Sequence, residues 1–142
     1  MGLLDDYSGA IGSPRPRKQH QRVMSRMLIN SYFELNRKGF EILTEQTVTD
    51  DCNDLAPDLV IFNKYEIPVS IIEITRTYQL RAIMDKCEEL MERFPDSEYF
   101  VYDYENEVLY QYVADIDEWV SSGEYKLRSQ YLNKPMLNYI KD

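Results

Sequence analysis

The stretch Pro57-Asp58-Leu59-Val60-Ile61-Phe62-Asn63-Lys64-Tyr65-Glu66-Ile67-Pro68-Val69-Ser70-Ile71-Ile72-Glu73-Ile74-Thr75 decides the fold. Two apolar, β-branched runs, Pro57 to Asn63 and Ile67 to Thr75, flank the short polar turn Lys64-Tyr65-Glu66, so an antiparallel hairpin is the simplest arrangement. Strand side chains alternate between faces. Asp58, Val60 and Phe62 therefore share one side of the first strand, and Val69, Ile71, Glu73 and Thr75 share one side of the second. Glu73 breaks the pattern. Its run is otherwise built for burial, where an uncompensated carboxylate costs on the order of several kcal/mol.

Downstream, Leu80, Ile83, Met84, Cys87, Leu90, Met91 and Phe94 form an apolar stripe at helical spacing, closed by Pro95. Such a helix packs on the sheet. Tyr99 to Tyr102 and Val108 to Val113 then predict a second hairpin around Asp103 to Glu107. A short helix is expected near Asp115 to Val120, and the segment after Ser121-Ser122-Gly123 carries no decisive pattern. Upstream, Val23, Met27, Leu28 and Leu35 predict a helix from Lys18, with Lys38-Gly39 as its stop. Phe40 to Thr49 predicts a strand pair or one bent strand, ending in the polar cluster Asp50 to Asp54. That cluster lacks the central glycine and terminal glutamate of an EF-hand and reads as a solvated turn.

This order gives a mixed α/β (α+β) layout, a small mixed central sheet flanked by helices. Residues 1–16, rich in Gly, Ser and Pro, read as a flexible N-terminal arm, and residues 17–142 as a single domain. A chain of 142 residues with 44% apolar content buries a substantial core. With only Cys52 and Cys87 and no C-x-x-C pair, the chain suits a reducing compartment. No apolar run approaches the length of a membrane span, and the expected location is cytoplasmic.

The net charge is −9, from 16 basic and 25 acidic residues, which repels bulk nucleic acid unless the charges are segregated. They are. No Asp or Glu occurs from Tyr7 through Phe33, whereas Arg15, Arg17, Lys18, Arg22 and Arg26 do. Arg15, Arg17, Lys18, His20 and Arg22 are thus the candidate phosphate contacts.

Asp58 opens its strand directly after Pro57, so a second carboxylate stands near the strand end. Two hard oxygen ligands facing one cleft are what Mg2+ or Mn2+ prefers, with water and substrate phosphate completing the shell. His20 is the single histidine, which excludes a zinc site built on several histidines.

Pro57-Asp58-Leu59-Val60-Ile61-Phe62 followed by Ile71-Ile72-Glu73-Ile74-Thr75 resembles the PD…(D/E)XK signature of restriction-endonuclease-like proteins. The family lysine, two positions after the glutamate, is Thr75 here. The chain is more narrowly similar to the Uma-type endonucleases, in which a lysine of the next helix is thought to substitute. His20-Gln21-Arg22-Val23, Asp85-Lys86 and Glu98-Tyr99-Phe100-Val101 extend that similarity over roughly residues 18 to 113. The resemblance implies a metal-dependent endonuclease. Asp58, Glu73 and the backbone carbonyl of Ile74 would be metal ligands, and Lys86 would stabilise charge on the scissile phosphate. It implies nucleic acid as partner, DNA ahead of RNA, and a homodimer.

Plainer readings stand beside these. Glu73 fits a structural ion pair with Arg76 or Arg81, Lys86 a solvated helix flank, and His20 a surface position on the first helix. Glu34 is a candidate extra acid for the metal site, or an ordinary polar helix residue. Tyr99, Tyr102, Tyr110 and Tyr112 either stack on bases or pack the sheet. At the level of the whole protein, the alternatives are a catalytically inactive nuclease-fold binding or assembly module, and an unrelated acidic interaction protein.

Overall fold

The computed structural model describes residues 15–45, 56–121 and 126–141. The predicted arm up to residue 14, the polar cluster Asp50 to Asp54 and Cys52 lie outside them. Helix α1 spans Arg15–Arg37, three residues earlier than its apolar pattern alone indicates, with Pro16 in the first turn, where a missing N–H costs nothing. The helix ends as expected at Gly39. The Phe40 N–H reaches the Leu35 carbonyl at 2.9 Å and the Gly39 N–H reaches Asn36 at 3.1 Å. Gly39 takes φ 88°, the left-handed conformation that this closure requires.

Strands β1 (Glu41–Thr44), β2 (Leu59–Phe62) and β3 (Pro68–Thr75) follow, then a 3-10 turn at Thr77–Gln79, helix α2 (Leu80–Met91), β4 (Glu98–Asp103), β5 (Val108–Val113), β6 (Glu118–Ser121) and α3 (Leu137–Ile140). The six strands form one sheet in chain order. Only β3 and β4 are parallel, because α2 carries the chain back between them; the other neighbours are antiparallel. The expected helix near Asp115 to Val120 is instead a turn followed by β6. Asp117 takes φ 53° in a tight reversal, and Trp119 then stands opposite Tyr112 across the ladder, their rings 5.5 Å apart. Cross-strand aromatic packing outweighs a local helical tendency over so few residues.

The sheet separates two cores. Val23, Met24, Met27 and Leu35 of α1 pack on Leu59, Ile61, Ile72, Ile74 and Phe100, and the C-terminal segment closes that side with Leu132, Met136, Tyr139 and Ile140. On the other face Met84, Cys87 and Leu90 of α2 pack on Val60, Ile71, Tyr99 and Val101. Truncating a fully buried Ile72 or Phe100 to Ala should cost about 2–5 kcal/mol. No helix among the described residues is long and apolar enough to cross a membrane.

The β2–β3 hairpin departs from simple alternation at one place that matters. Phe62 pairs with Pro68, but Ile61 pairs with Ser70, so Val69 is an extra residue bulged out of the ladder. Val69 accordingly packs with the α1-side core, whereas Ile71 faces α2. The expected common face of Val69 and Ile71 is lost because a bulge shifts the alternation by one.

Candidate metal and phosphate site

The bulge fixes what stands opposite Glu73. Past it, Leu59 pairs with Ile72 and Val60 with Ile71, so one further step sets Asp58 directly across from Glu73. Without the extra residue Asp58 would oppose Ile72 and point to the other side of the sheet. With it, two carboxylates share the α2 face where β2 begins and β3 ends. Direct cross-strand neighbours have Cβ atoms roughly 4.5–5.5 Å apart, which explains how strongly these two acids influence each other.

Each carboxylate has its own partners. Asp58 Oδ2 accepts the Ile74 N–H at 2.8 Å and lies 3.1 Å from His20 Nε2. Glu73 is 2% exposed, and its Oε2 lies 2.8 Å from Lys86 Nζ. That close ion pair is not aligned as a hydrogen bond, and Oε2 has no hydrogen-bond partner among the described residues. Lys86 is itself largely covered, its side chain 19% exposed, which replaces the solvated-flank reading. Neither arginine suggested for Glu73 reaches it. Arg76 pairs with Glu105 at 3.1 Å, and Arg81 with Asp85 and Glu88 at 3.0 Å.

These contacts set the protonation of the pair. Burial, then the Asp58 charge, push the Glu73 carboxyl up to about 7, with Lys86 working in the opposite direction. Burial also acts to raise Asp58, but the His20 bond and charge, together with the Ile74 N–H, outweigh it and hold Asp58 below its ordinary value. For His20, burial opposes the charged ring, and the Asp58 bond and charge prevail, so its pKa is raised. One site thus holds an ionised acid beside an acid that retains a proton towards neutrality.

Among the described residues, no group of three or more His, Cys, Asp or Glu side chains gathers as a metal cage. The donors on offer are the two carboxylates and a main-chain carbonyl. In an extended strand the N–H and C=O of one residue point to the same edge, and the Ile74 N–H points at Asp58, so its carbonyl faces that edge too. The set is entirely oxygen, which fits a hard divalent cation that would take the place of the proton retained by Glu73.

The other candidates fall elsewhere. Lys18 and Arg22 are exposed on α1 at the His20 end, and Arg15 and Arg17 lie in the first turns of the same helix. Glu34 belongs to a separate clamp, accepting from Lys38 Nζ at 2.9 Å, the Asn133 N–H at 2.6 Å and the Tyr139 hydroxyl at 2.6 Å. Tyr99 and Tyr102 are buried in the sheet, and Tyr110 and Tyr112 pack against the α2-side core. The role of His20 as partner of Asp58 was missed in the sequence, yet a signal exists. His20 precedes Val23, Met24 and Met27 on the buried stripe of α1, where an imidazole is out of place unless something inside receives it. No protein-family model matches this sequence, and no curated protein sequence matches it.

Proposed function

We propose that this protein is a divalent-metal-dependent nuclease of the PD-(D/E)XK type that hydrolyses phosphodiester bonds in nucleic acid, DNA ahead of RNA. The observation that carries the reading is the 2.8 Å approach of Lys86 Nζ to Glu73, in a pair that also includes Asp58. The signature resemblance leaves the lysine position of β3 to Thr75, and a cation from α2 fills that need. The mixed sheet flanked by helices agrees with the same resemblance.

In this reading Asp58, Glu73 and the Ile74 carbonyl hold Mg2+ or Mn2+, which when bound lowers the pKa of a water and polarises the phosphate. Lys86 contributes a fixed positive charge where negative charge grows on the phosphate oxygens. Because Lys86 is mostly covered, that charge is poorly screened by solvent. His20 orients Asp58 through Nε2 and keeps it ionised. The retained proton at Glu73 makes its engagement by a cation pH-dependent, with occupancy rising as the pH passes about 7.

One observation favours the second reading, an inactive nuclease-fold binding or assembly module. Asp58 Oδ2 is already engaged by His20 and Ile74, and Lys86 already compensates Glu73, so the cluster is electrically closed without a cation. Incubation with supercoiled plasmid and with single-stranded DNA and RNA, with Mn2+ or Mg2+ and with chelator, separates the two. The nuclease reading predicts metal-dependent cleavage that falls at least about 100-fold in Glu73→Gln and in Lys86→Met. Nucleic-acid binding without cleavage under every metal condition would favour the module.

A further inference from the structure

The segment joining Glu73 to Lys86 carries an exposed aromatic ring that is held in place by a chain of contacts. β3 ends at Thr75, and Arg76, Thr77, Tyr78 and Gln79 lead into α2, which brings Lys86 back to Glu73. Tyr78 follows the last residue of β3 by three positions, so it stands at the end of the sheet where Asp58 and Glu73 also lie, and the chain between limits its separation from Glu73 to at most about 17 Å. It is 72% exposed. The Arg76 guanidinium lies 5.0 Å from its ring centroid. Arg76 Nε is bound in turn by Glu105 Oε2 at 3.1 Å, while Glu105 Oε1 accepts the Thr77 N–H at 3.0 Å. One carboxylate thus ties down the turn and the cation, and the cation covers one side of the ring.

The acid-free stretch around Arg15 to Arg26 lies on α1, and with a net charge of −9 the rest of the chain adds little further attraction for phosphate, so a contact that does not depend on charge would add to affinity. A solvent-facing ring backed by a cation offers such a contact, because every unpaired base has a face that stacks on an aromatic side chain. We propose that Tyr78, backed by Arg76, is a stacking platform for an unpaired base next to the scissile phosphate, so that the site takes single-stranded nucleic acid. This rests on the nuclease reading and assigns its substrate class.

The molecule contains its own control. Tyr65 is 71% exposed with Lys64 Nζ 5.3 Å from its centroid, but it occupies the β2–β3 turn, at the opposite end of that hairpin from Asp58 and Glu73. The test is fluorescence anisotropy with labelled 12-mers of single-stranded DNA, single-stranded RNA and the corresponding duplexes, in chelator to prevent turnover. It compares the wild-type chain with Tyr78→Ala, Tyr78→Trp and Tyr65→Ala. All three substitutions are at exposed side chains and leave the core intact. The expected result is single-strand binding that weakens about tenfold or more in Tyr78→Ala, is kept in Tyr78→Trp and is unchanged in Tyr65→Ala. The DNA and RNA arms report which sugar the site accepts. Equal binding by Tyr78→Ala and wild type, or an equal loss in Tyr65→Ala, overturns the platform. The nuclease reading survives that failure if manganese binding and cleavage persist. Absence of any single-strand binding by the wild type overturns the platform, and if cleavage is also absent the nuclease reading falls with it.

Discussion

Glu34 and Glu73 each organise a polar cluster, and the two carboxylates are in opposite condition. Glu34 receives the Lys38 ammonium, the Asn133 N–H and the Tyr139 hydroxyl, and despite the effect of burial these bonds hold its pKa below the usual value. Glu73 is pushed up to about 7, faces another carboxylate and keeps one oxygen without a hydrogen bond. The first cluster fastens the C-terminal segment to α1. The second holds two carboxylates face to face, one of them raised in pKa and balanced by a covered ammonium, which a purely structural role does not require. The facing carboxylates and the raised pKa of Glu73, rather than burial alone, separate the functional candidate from the clamp.

The strongest way to break this comparison is Lys86→Met. Removing the cation leaves a buried acid beside Asp58, and the expected destabilisation is about 3–5 kcal/mol at pH 8. Glu73 has a folded pKa above its unfolded one, so its ionisation erodes stability as pH rises from the ordinary carboxylate range through about 7. The loss in Lys86→Met should therefore shrink markedly at pH 5.5. Urea unfolding at the two pH values measures it, and a loss independent of pH would show that the pair is not what Lys86 supports.

His20→Asn should have the next largest effect, about 1.5–3 kcal/mol for a charged hydrogen bond lost from Asp58. The His20 pKa is raised on folding, so its contribution is complete below its unfolded value and fades as pH rises through the folded one. Thermal melts of wild type and His20→Asn at pH 6 and pH 9 should converge at the higher pH. The smallest expected effect belongs to the clamp. Tyr139→Phe removes one hydrogen bond to Glu34, costing about 1 kcal/mol. It should leave manganese binding and cleavage untouched, and a changed metal affinity in that variant would blur the distinction between the two clusters.

The hairpins, both long helices and the stop at Gly39 were legible in the sequence, because period-2 and period-3.6 patterns and turn residues report burial directly. Glu73 stood out for the same reason, as a charge in a run meant for the core. That it stands beside Asp58 was expected from the signature resemblance but not from strand alternation. A hairpin centred on Tyr65 without a bulge puts the two acids on opposite faces, and the extra residue at Val69 that corrects this looks like any other β-branched strand residue. The resemblance named Lys86 for this site, but its reach to Glu73 was not legible in the residues, since a helical wheel places a side chain at the edge of a stripe and does not say how far round it extends. The strand β6 was misread as helix because four residues carry little periodicity, and its pairing partner lies in β5.

Whether Asp58 and Glu73 form one cation site is tested most directly by calorimetric titration of manganese. The titration compares wild type with Glu73→Gln at pH 8, where the Glu73 carboxyl has lost its proton. Saturable binding by the wild type, absent in Glu73→Gln, is the predicted result; binding by neither protein, or equal binding by both, would contradict it.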